Sequence, residues 1–140
     1  MSQGEFKRID QDEGPPLGPL ELLVCGFSIE ESRTVSSFLG TINVPEHQVV
    51  LCTEPMLAQS LGEALTTTEE SPPVPPDKLP RVIVLSGMTG AQVRVFLDQY
   101  ASTQLPRPIF ATVTPSNLDF TVRDLLIELL QEHRAMSEKK

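Results

Sequence analysis

The feature that most constrains the fold is an internal similarity at a constant offset of 61 residues, by which segment 22–28 aligns without gaps with segment 83–89. The first reads Leu-Leu-Val-Cys-Gly-Phe-Ser and the second reads Ile-Val-Leu-Ser-Gly-Met-Thr. The same offset aligns Arg33 with Arg94, Pro45 with Pro106, Thr53 with Thr114, Leu57 with Leu118 and Leu65 with Leu126. Because a repeated unit constrains the whole architecture, this similarity predicts that one supersecondary unit occurs twice.

The composition indicates a single globular domain with an acidic surface. The chain has 140 residues, of which 39% are hydrophobic and 21% are charged, and its formal net charge is -8. This length suffices to bury one core. The negative charge argues against nonspecific binding to nucleic acid and against docking on anionic membranes, since both need a basic face. No apolar run approaches the roughly 20 residues of a membrane helix, so we expect no membrane insertion.

The two cysteines and the N-terminal residues indicate a reducing compartment. Cys25 and Cys52 both lie in apolar runs, and two cysteines are too few for a disulfide framework. Residues 1–18 are polar and acidic and lack the apolar core of a signal peptide. We therefore expect a cytoplasmic protein. The plastid stroma is the alternative, for a mature protein whose transit peptide has been removed.

Apolar runs and turn residues predict the order strand, helix, strand, helix in each half. The predicted strands are 20–27, 48–53, 81–86 and 108–114, and the predicted helices are 28–39, 55–65, 89–102 and 118–133.

A proline-rich stretch separates the two halves. Residues 67–79 contain four prolines in the five positions that begin at Pro72, which favours an extended loop. The predicted organisation is a flexible acidic and Pro-rich arm (1–19), one α/β domain (20–134) made of two repeats (20–66 and 80–134), and a frayed tail (135–140).

Helix-start chemistry follows the same offset. In a capping box, a hydroxyl accepts a hydrogen bond from an amide of the first helical turn, and an acidic or amide side chain reaches back to the cap residue. Two such pairs begin at positions 28 and 89, and two more begin at positions 60 and 121. The pairs are Ser28 with Glu31, Thr89 with Gln92, Ser60 with Glu63 and Thr121 with Asp124.

These elements predict an α/β fold in which a duplicated β-α-β-α unit shares one mostly parallel four-stranded sheet with helices packed on both faces. Strands joined through helices are normally parallel, with right-handed crossovers. A two-stranded parallel sheet cannot bury its own faces, so the halves are expected to share one sheet and to be related by an approximate two-fold axis. The pattern leaves the strand order open.

The second half resembles a known family of short domains on the strength of three blocks, Val82–Met88, Ile109–Asn117 and Phe120–Leu126. The family is the domain of unknown function 3783, and the resemblance covers about residues 79–134. The most specific part is the pattern Ala-x-x-Thr-Pro-x-Asn, whereas Phe120 stands where the resemblance leads us to expect Trp. The first half is then expected to hold a degenerate repeat of the same domain. The family has no established activity, so the resemblance implies fold boundaries and leaves function open.

The stretch Thr-Pro-Ser-Asn at the end of the fourth predicted strand is the most site-like part of the chain. In parallel α/β sheets, ligands bind beyond the carboxyl ends of the strands. Thr114, Ser116 and Asn117, with nearby helix-terminal amides, could hold an anion such as phosphate or carboxylate. Thr53 is the corresponding candidate in the first half, which lacks the Ser-Asn pair. The alternative, which the residue types favour, is a proline-fixed turn whose Ser and Asn satisfy local amides.

Other polar residues give weaker indications of chemistry. The run Gly-Met-Thr-Gly at 87–90 could cradle a phosphate, but it lacks the Lys of a P-loop and the third glycine of a dinucleotide motif, so a strand-to-helix turn is favoured. Cys25 and Cys52 could lie on neighbouring strands as a redox pair, although a buried cysteine usually serves as a small hydrophobe. His47 and His133 fit no metal-ligand spacing. We predict no catalytic residue, no metal and no cofactor.

These observations lead to the hypothesis of a noncatalytic protein-interaction, assembly or regulatory factor that binds a protein partner. The arm, the proline-rich loop and the outer faces of helices 28–39 and 89–102 are the expected contact surfaces. Arg33 and Arg94, at matching positions on those helices, are candidate anchors. The alternative hypothesis is a small-molecule or anion-sensing domain with its site at the C-terminal ends of the strands.

Overall fold

A computed structural model describes the backbone of residues 17–66 and 78–138 and the side chains up to residue 135. Helices and strands follow the predicted order. They are β1 (Glu21–Cys25), α1 (Ile29–Thr41), β2 (Gln48–Leu51), a first 3₁₀ helix (Pro55–Ala58), α2 (Leu61–Thr66), β3 (Val82–Ser86), α3 (Gly90–Gln99), a second 3₁₀ helix (Tyr100–Thr103), β4 (Ile109–Thr112) and α4 (Val122–Glu138). Most of the predicted arm (1–19) and loop (67–79) lies outside the described residues, and α4 extends into the predicted tail (135–140).

The four α-helices begin directly after the hydroxyl residues whose capping patterns predicted these helix starts. Before α1, the Ser28 hydroxyl accepts from the Glu31 N–H at 3.1 Å, and the Ser28 N–H donates to the Glu31 carboxylate at 3.0 Å. The same reciprocal pair of bonds starts α2 and α3. At α4, the Asp124 N–H donates to the Thr121 hydroxyl at 3.1 Å. These bonds satisfy amides that the first turn of a helix leaves without intrahelical partners.

The four strands form one mixed sheet in the order β2-β1-β3-β4. β1 is parallel to β2, with Glu21 opposite Gln48, and β3 is parallel to β4, with Val82 opposite Ile109. The halves join through β1 and β3, which are antiparallel. Each half therefore contributes one inner and one outer strand.

The expectation of a mostly parallel sheet is wrong, because the central pair of strands is antiparallel. Helix α1 connects β1 to β2, helix α3 connects β3 to β4, and both helices pack on the same face of the sheet. The outer strands β2 and β4 lie at opposite edges. Two right-handed crossovers that share a face but move outward in opposite directions require inner strands of opposite direction. The antiparallel pairing of β1 and β3 thus follows from their position as the two inner strands of the sheet.

Apolar residues on the two faces of the sheet form two separate cores, so the fold has three layers. On one face, α1 and α3 bring Phe38 and Phe96 against Ile83 of β3. On the other face, α2, the first 3₁₀ helix and α4 pack against Val84 of the same strand. Neighbouring strand residues therefore face opposite cores, as a sheet buried on both sides requires. Helix α4 buries a stripe with helical spacing, formed by Val122, Leu125, Leu126 and Leu129.

Two of the residue pairs that join the halves are separated by 61 positions in the chain. Leu23 of β1 lies opposite Val84 of β3, and Ser60 forms an antiparallel bridge with Thr121. The backbone hydrogen bonds on either side of that bridge also join the two chain segments, at 2.8 and 2.9 Å. The halves are thus joined both within the sheet and in the layer that contains α2 and α4.

Candidate functional site

The loop after β4 contains the three candidate residues of the second half, and hydrogen bonds within the loop set its geometry. The Thr114 N–H donates to Asn117 Oδ1 at 2.8 Å, and the Asn117 N–H donates to Thr114 Oγ1 at 3.1 Å. Asn117 Nδ2 also donates to the Thr112 carbonyl at 3.0 Å. The hydroxyl oxygens of Thr114 and Ser116 are 3.2 Å apart. The structure therefore brings Thr114, Ser116 and Asn117 together in one tight turn.

What this turn can bind depends on the polar atoms that those bonds leave accessible. Asn117 is buried, and both polar atoms of its side chain bond to the backbone of the same loop. The contact between the Thr114 and Ser116 hydroxyls, in contrast, is exposed. Asn117 thus stabilises the turn through these bonds, as side-chain amides do at such positions. An anion that approached this loop would meet the two hydroxyls.

Replacing Asn117 with alanine is expected to lower the free energy of unfolding by about 1–3 kcal/mol, because the Thr114 N–H and the Thr112 carbonyl lose their partner. Urea denaturation followed by circular dichroism measures this change. Ser116→Ala serves as the matched control in the same loop, and because Ser116 is exposed we expect a change within about 0.5 kcal/mol. Equal stabilities for the two variants would contradict the role assigned to Asn117.

Thr53, the candidate of the first half, lies far from the loop after β4. Because β1 and β3 are antiparallel and each is parallel to its outer strand, the C-terminal ends of β2 and β4 point to opposite ends of the sheet. These two strands are also at opposite edges. Thr53 itself is half-buried, and its carbonyl accepts from the Met56 N–H at 3.1 Å where the first 3₁₀ helix begins. The two strand-end candidates are therefore separate places on the molecule.

Arg33 and Arg94 are exposed residues on α1 and α3. Both helices belong to the layer that covers one face of the sheet, opposite the layer of α2 and α4. The structure thus places both arginines on the outer surface of one layer. A partner that used both would contact α1 and α3 together.

The glycine turns after β1 and β3 are filled by other parts of the chain. Gly26 and Gly87 have positive φ angles of 75° and 74°. A Cβ atom on Gly26 would lie 2.5 Å from the Pro80 carbonyl oxygen, and one on Gly87 would lie 2.6 Å from the Pro19 carbonyl oxygen. A phosphate therefore has no access to the side of Gly87 where a Cβ atom would stand. Both glycines act as turn residues that allow close approach of backbone to backbone.

Arg81, directly before β3, makes several long-range contacts, and the sequence analysis did not single it out. Its Nη1 donates to the Gly26 carbonyl and to Glu31 Oε1, both at 3.3 Å, and its guanidinium carbon lies 4.3 Å from the centre of the Phe27 ring. The hydrogen bond from the Ser28 N–H, aided by Arg81, holds the pKa of Glu31 below its ordinary value, against the effect of burial. Arg81 therefore joins the start of β3 to the start of α1. In the sequence, the only indication of this role was a charged residue directly before an apolar run.

Three further polar side chains are buried. His47 Nε2 lies 3.0 Å from the Ser86 carbonyl oxygen. The hydroxyls of Ser86 and Tyr100 are buried and have no hydrogen-bond partner within residues 17–66 and 78–135. Burial raises the pKa of Tyr100, and the Arg81 guanidinium opposes this effect. These groups lie inside the fold and are not part of the loop after β4.

In the part of the chain that the structure describes, no three His, Cys, Asp or Glu residues come together in a way that could hold a metal ion. His133 is exposed on α4. None of the described helices combines the length and the apolar character that crossing a bilayer demands.

An apolar groove, here called the α4 groove, lies between α4, the first 3₁₀ helix and the chain that leads into β3. Its volume is about 130 Å³. It is lined by Leu57, Leu79, Pro80, Arg123, Leu126, Ile127 and Leu130. Ile127 is 49% exposed, although it belongs to a helix whose apolar stripe is otherwise turned to the core. An isoleucine on the polar side of the helical pattern was the signal that could have indicated this groove from the sequence.

Comparison with known proteins connects the second half of this three-layer α/β domain to a described family. The sequence model of the family described as Domain of unknown function (DUF3783) matches residues 81–136. This range runs from β3 into α4 and confirms the resemblance expected for the C-terminal half. No curated protein and no solved structure matches the chain.

Proposed function

We propose that this protein is a noncatalytic interaction, assembly or regulatory factor that binds a protein segment in the α4 groove. The observation that supports this proposal is the groove itself, whose lining is apolar except for Arg123. A groove lined by aliphatic side chains can take up an aliphatic or aromatic anchor residue of a partner protein. Ile127, at 49% exposure, is the residue that a partner would cover most.

The chemistry of the groove defines the partner that fits it. Ile127 and Leu130 lie one turn apart on α4, so they offer apolar contacts to an extended or helical segment, whereas Leu126 is buried where it lines the groove. Arg123 is exposed, stands one turn before Ile127 and is the charged residue in the lining. The proposed occupant is therefore a segment of another protein that presents aliphatic or aromatic side chains next to a carboxylate, which would pair with Arg123.

Replacing Ile127 with glutamate is expected to weaken this interaction strongly while lowering the free energy of unfolding by no more than about 1 kcal/mol. The glutamate places a charge in an apolar contact, and Glu is a good helix former on an exposed position. The measurement is an affinity capture of the tagged full-length chain from its native cells, followed by titration of the purified partner. We expect the dissociation constant to rise at least about tenfold.

Val95→Glu is the matched variant on the other layer. Val95 lies on α3 beside Arg94 and is 41% exposed, so the same chemical change is made on the surface that Arg33 and Arg94 share. A partner lost with Ile127→Glu and kept with Val95→Glu supports the α4 groove. A partner that is kept with Ile127→Glu and lost with Val95→Glu, and that Arg33→Ala or Arg94→Ala also loses, would indicate that it binds α1 and α3 instead. A capture that neither variant weakens would contradict both surfaces. A concentration-dependent dimer in analytical ultracentrifugation would identify a second copy as the occupant instead.

The second candidate function is an anion-sensing domain with its site at the loop after β4. The observation that favours it is the exposed pair of hydroxyls on Thr114 and Ser116, whose oxygen atoms are 3.2 Å apart. Thermal unfolding in the presence of millimolar phosphorylated metabolites tests it, because a ligand of the native state raises the melting temperature. A shift that disappears in Ser116→Ala supports this function. No shift with any ligand argues against it.

We further propose that the first half is a degenerate copy of the second. The strand registers support this, since Glu21 opposite Gln48 and Val82 opposite Ile109 are the same pairing displaced by 61 residues in each half. In this proposal β1 occupies the edge of β3 that a second copy of the domain would otherwise cover. The first half then completes the sheet and buries both faces of it.

For the compartment, we propose the cytoplasm, with the plastid stroma as the alternative. The two cysteines are free thiols, which suits a reducing environment. A fluorescent protein fused to the C-terminus and observed in the native cells distinguishes the two compartments.

A further inference from the structure

The two cysteines of the chain lie side by side on neighbouring parallel strands. Cys25 ends β1 and Cys52 directly follows β2. The strand register places Val24 opposite Leu51, and the Cys52 N–H donates to the Val24 carbonyl at 2.9 Å, so the ladder continues to the two cysteines. Both side chains point into the same core, the one formed with α2 and α4. Because adjacent strands lie about 4.8 Å apart, their Cα atoms fall in the range that a disulfide can bridge.

The two thiols also interact directly, and their interaction is asymmetric. A hydrogen bond between the side chains is the main cause that raises the pKa of Cys25 and the main cause that lowers the pKa of Cys52. Burial raises the pKa of Cys25 further, and for Cys52 burial and the charge of Glu54 act against the hydrogen bond. Cys52 Sγ also donates to the Thr53 carbonyl at 3.7 Å. Of the two thiols, Cys52 is the one whose pKa is lowered. Reactive thiol pairs have such an asymmetry.

We propose that Cys25 and Cys52 form a redox site that closes into an intramolecular disulfide on reaction with a disulfide oxidant. In the first step the Cys52 thiolate attacks one sulfur of the oxidant RSSR, and one RS⁻ leaves. In the second step Cys25 loses its proton and attacks Cys52 Sγ, which expels the second RS⁻. The dithiol loses two electrons and two protons, and the oxidant becomes two RSH molecules. This site is independent of the α4 groove and of the loop after β4.

Access to the site requires local opening of the fold. Cys25 and Cys52 have relative exposures of 0% and 1%, so an oxidant cannot reach them in the closed structure. Cys52, however, lies at the end of the outer strand β2, next to a short 3₁₀ helix. Strand ends at a sheet edge open more easily than central strands. We therefore expect slow oxidation at a rate set by this opening, and a higher melting temperature afterwards, because the disulfide fastens β2 to β1.

The test is oxidation of the full-length protein under native conditions with glutathione disulfide, followed by acid quenching, denaturation, alkylation with N-ethylmaleimide and intact-mass measurement. The reduced protein should bind two maleimide groups. After oxidation the monomer should bind none and should lack two hydrogen atoms. In Cys25→Ser, which lacks the resolving thiol, Cys52 should instead remain attached to glutathione. In Cys52→Ser the remaining thiol is Cys25. It should react with glutathione disulfide more slowly than the remaining thiol of Cys25→Ser, and should therefore stay available to N-ethylmaleimide for longer.

Several outcomes would overturn the proposal. Two alkylatable thiols after prolonged native oxidation would exclude the disulfide, and this result needs no variant that could fail to fold. Disulfide formation in guanidinium but not in native buffer would show that the folded structure prevents the reaction. Covalent dimers in place of an oxidised monomer would show that each cysteine reacts between molecules.

Discussion

Replacing Phe96 with alanine is expected to lower the free energy of unfolding by about 3–5 kcal/mol, the loss that removal of a buried phenylalanine ring causes. Phe96 in α3 is fully buried. Its ring centre lies 5.2 Å from that of Phe38, 5.8 Å from that of Tyr100 and 5.9 Å from that of Phe110. The three neighbours come from α1, the second 3₁₀ helix and β4. The substitution thus opens a cavity where the crossover helices of both halves meet an outer strand.

Guanidinium denaturation followed by circular dichroism measures the effect of Phe96→Ala, and an unchanged m-value would show that the folded state keeps its compactness. Phe96→Leu, which keeps most of the apolar volume, is expected to cost less than about 2 kcal/mol. Ile127→Ala in the α4 groove is the surface control, and at 49% exposure it should cost less than about 1 kcal/mol. Similar losses for Phe96→Ala and Ile127→Ala would contradict the view that the aromatic cluster is a main support of the fold.

Local chemistry made the order of helices and strands predictable. Ser28 and Thr89 each follow an apolar run and form the capping bonds that their sequences indicated. The order and direction of the strands in the sheet could not be predicted in this way, because they depend on which edges of the two halves meet. That meeting is decided by pairs such as Leu23 and Val84, which are far apart in the chain and have no local signature. The direction of the central pair then follows from the handedness of the crossovers.

The candidate site could be predicted only as far as local turns define it. Thr114 and Asn117 are three residues apart, so their mutual hydrogen bonds follow from the turn that their residue types favour. Arg81 contacts Glu31 across 50 positions of the chain, and only the folded structure brings them together. For Cys25 and Cys52 the sequence allowed neighbouring strands, but it did not give the register of β1 and β2 that sets the two residues side by side. Long-range pairing is the information that one sequence lacks.

Replacing Gly26 with alanine is expected to lower the free energy of unfolding by about 2–4 kcal/mol, because strain at positive φ adds to an overpacked contact. Gly26 has a φ of 75°, and its added Cβ would lie 2.5 Å from the Pro80 carbonyl oxygen. This oxygen belongs to the backbone and cannot move away without shifting the start of β3. Gly87→Ala is expected to cost the same, since its φ is 74° and the Pro19 carbonyl oxygen stands 2.6 Å from the added atom.

Gly40→Ala is the control for both variants of the glycine turns. Gly40 lies in α1, and nothing stands within 4 Å of the position that its Cβ would take. Alanine there is expected to raise the free energy of unfolding by about 0.5 kcal/mol, because it reduces the freedom of the unfolded chain. The glycine-to-alanine change alone therefore does not explain a loss at Gly26 or Gly87. If the two turns are copies of one another, their costs should agree within about 0.5 kcal/mol in thermal or chemical denaturation. A cost at one turn and none at the other would mean that the two halves do not rely on equivalent turns, and the proposal of a duplicated unit would lose this support.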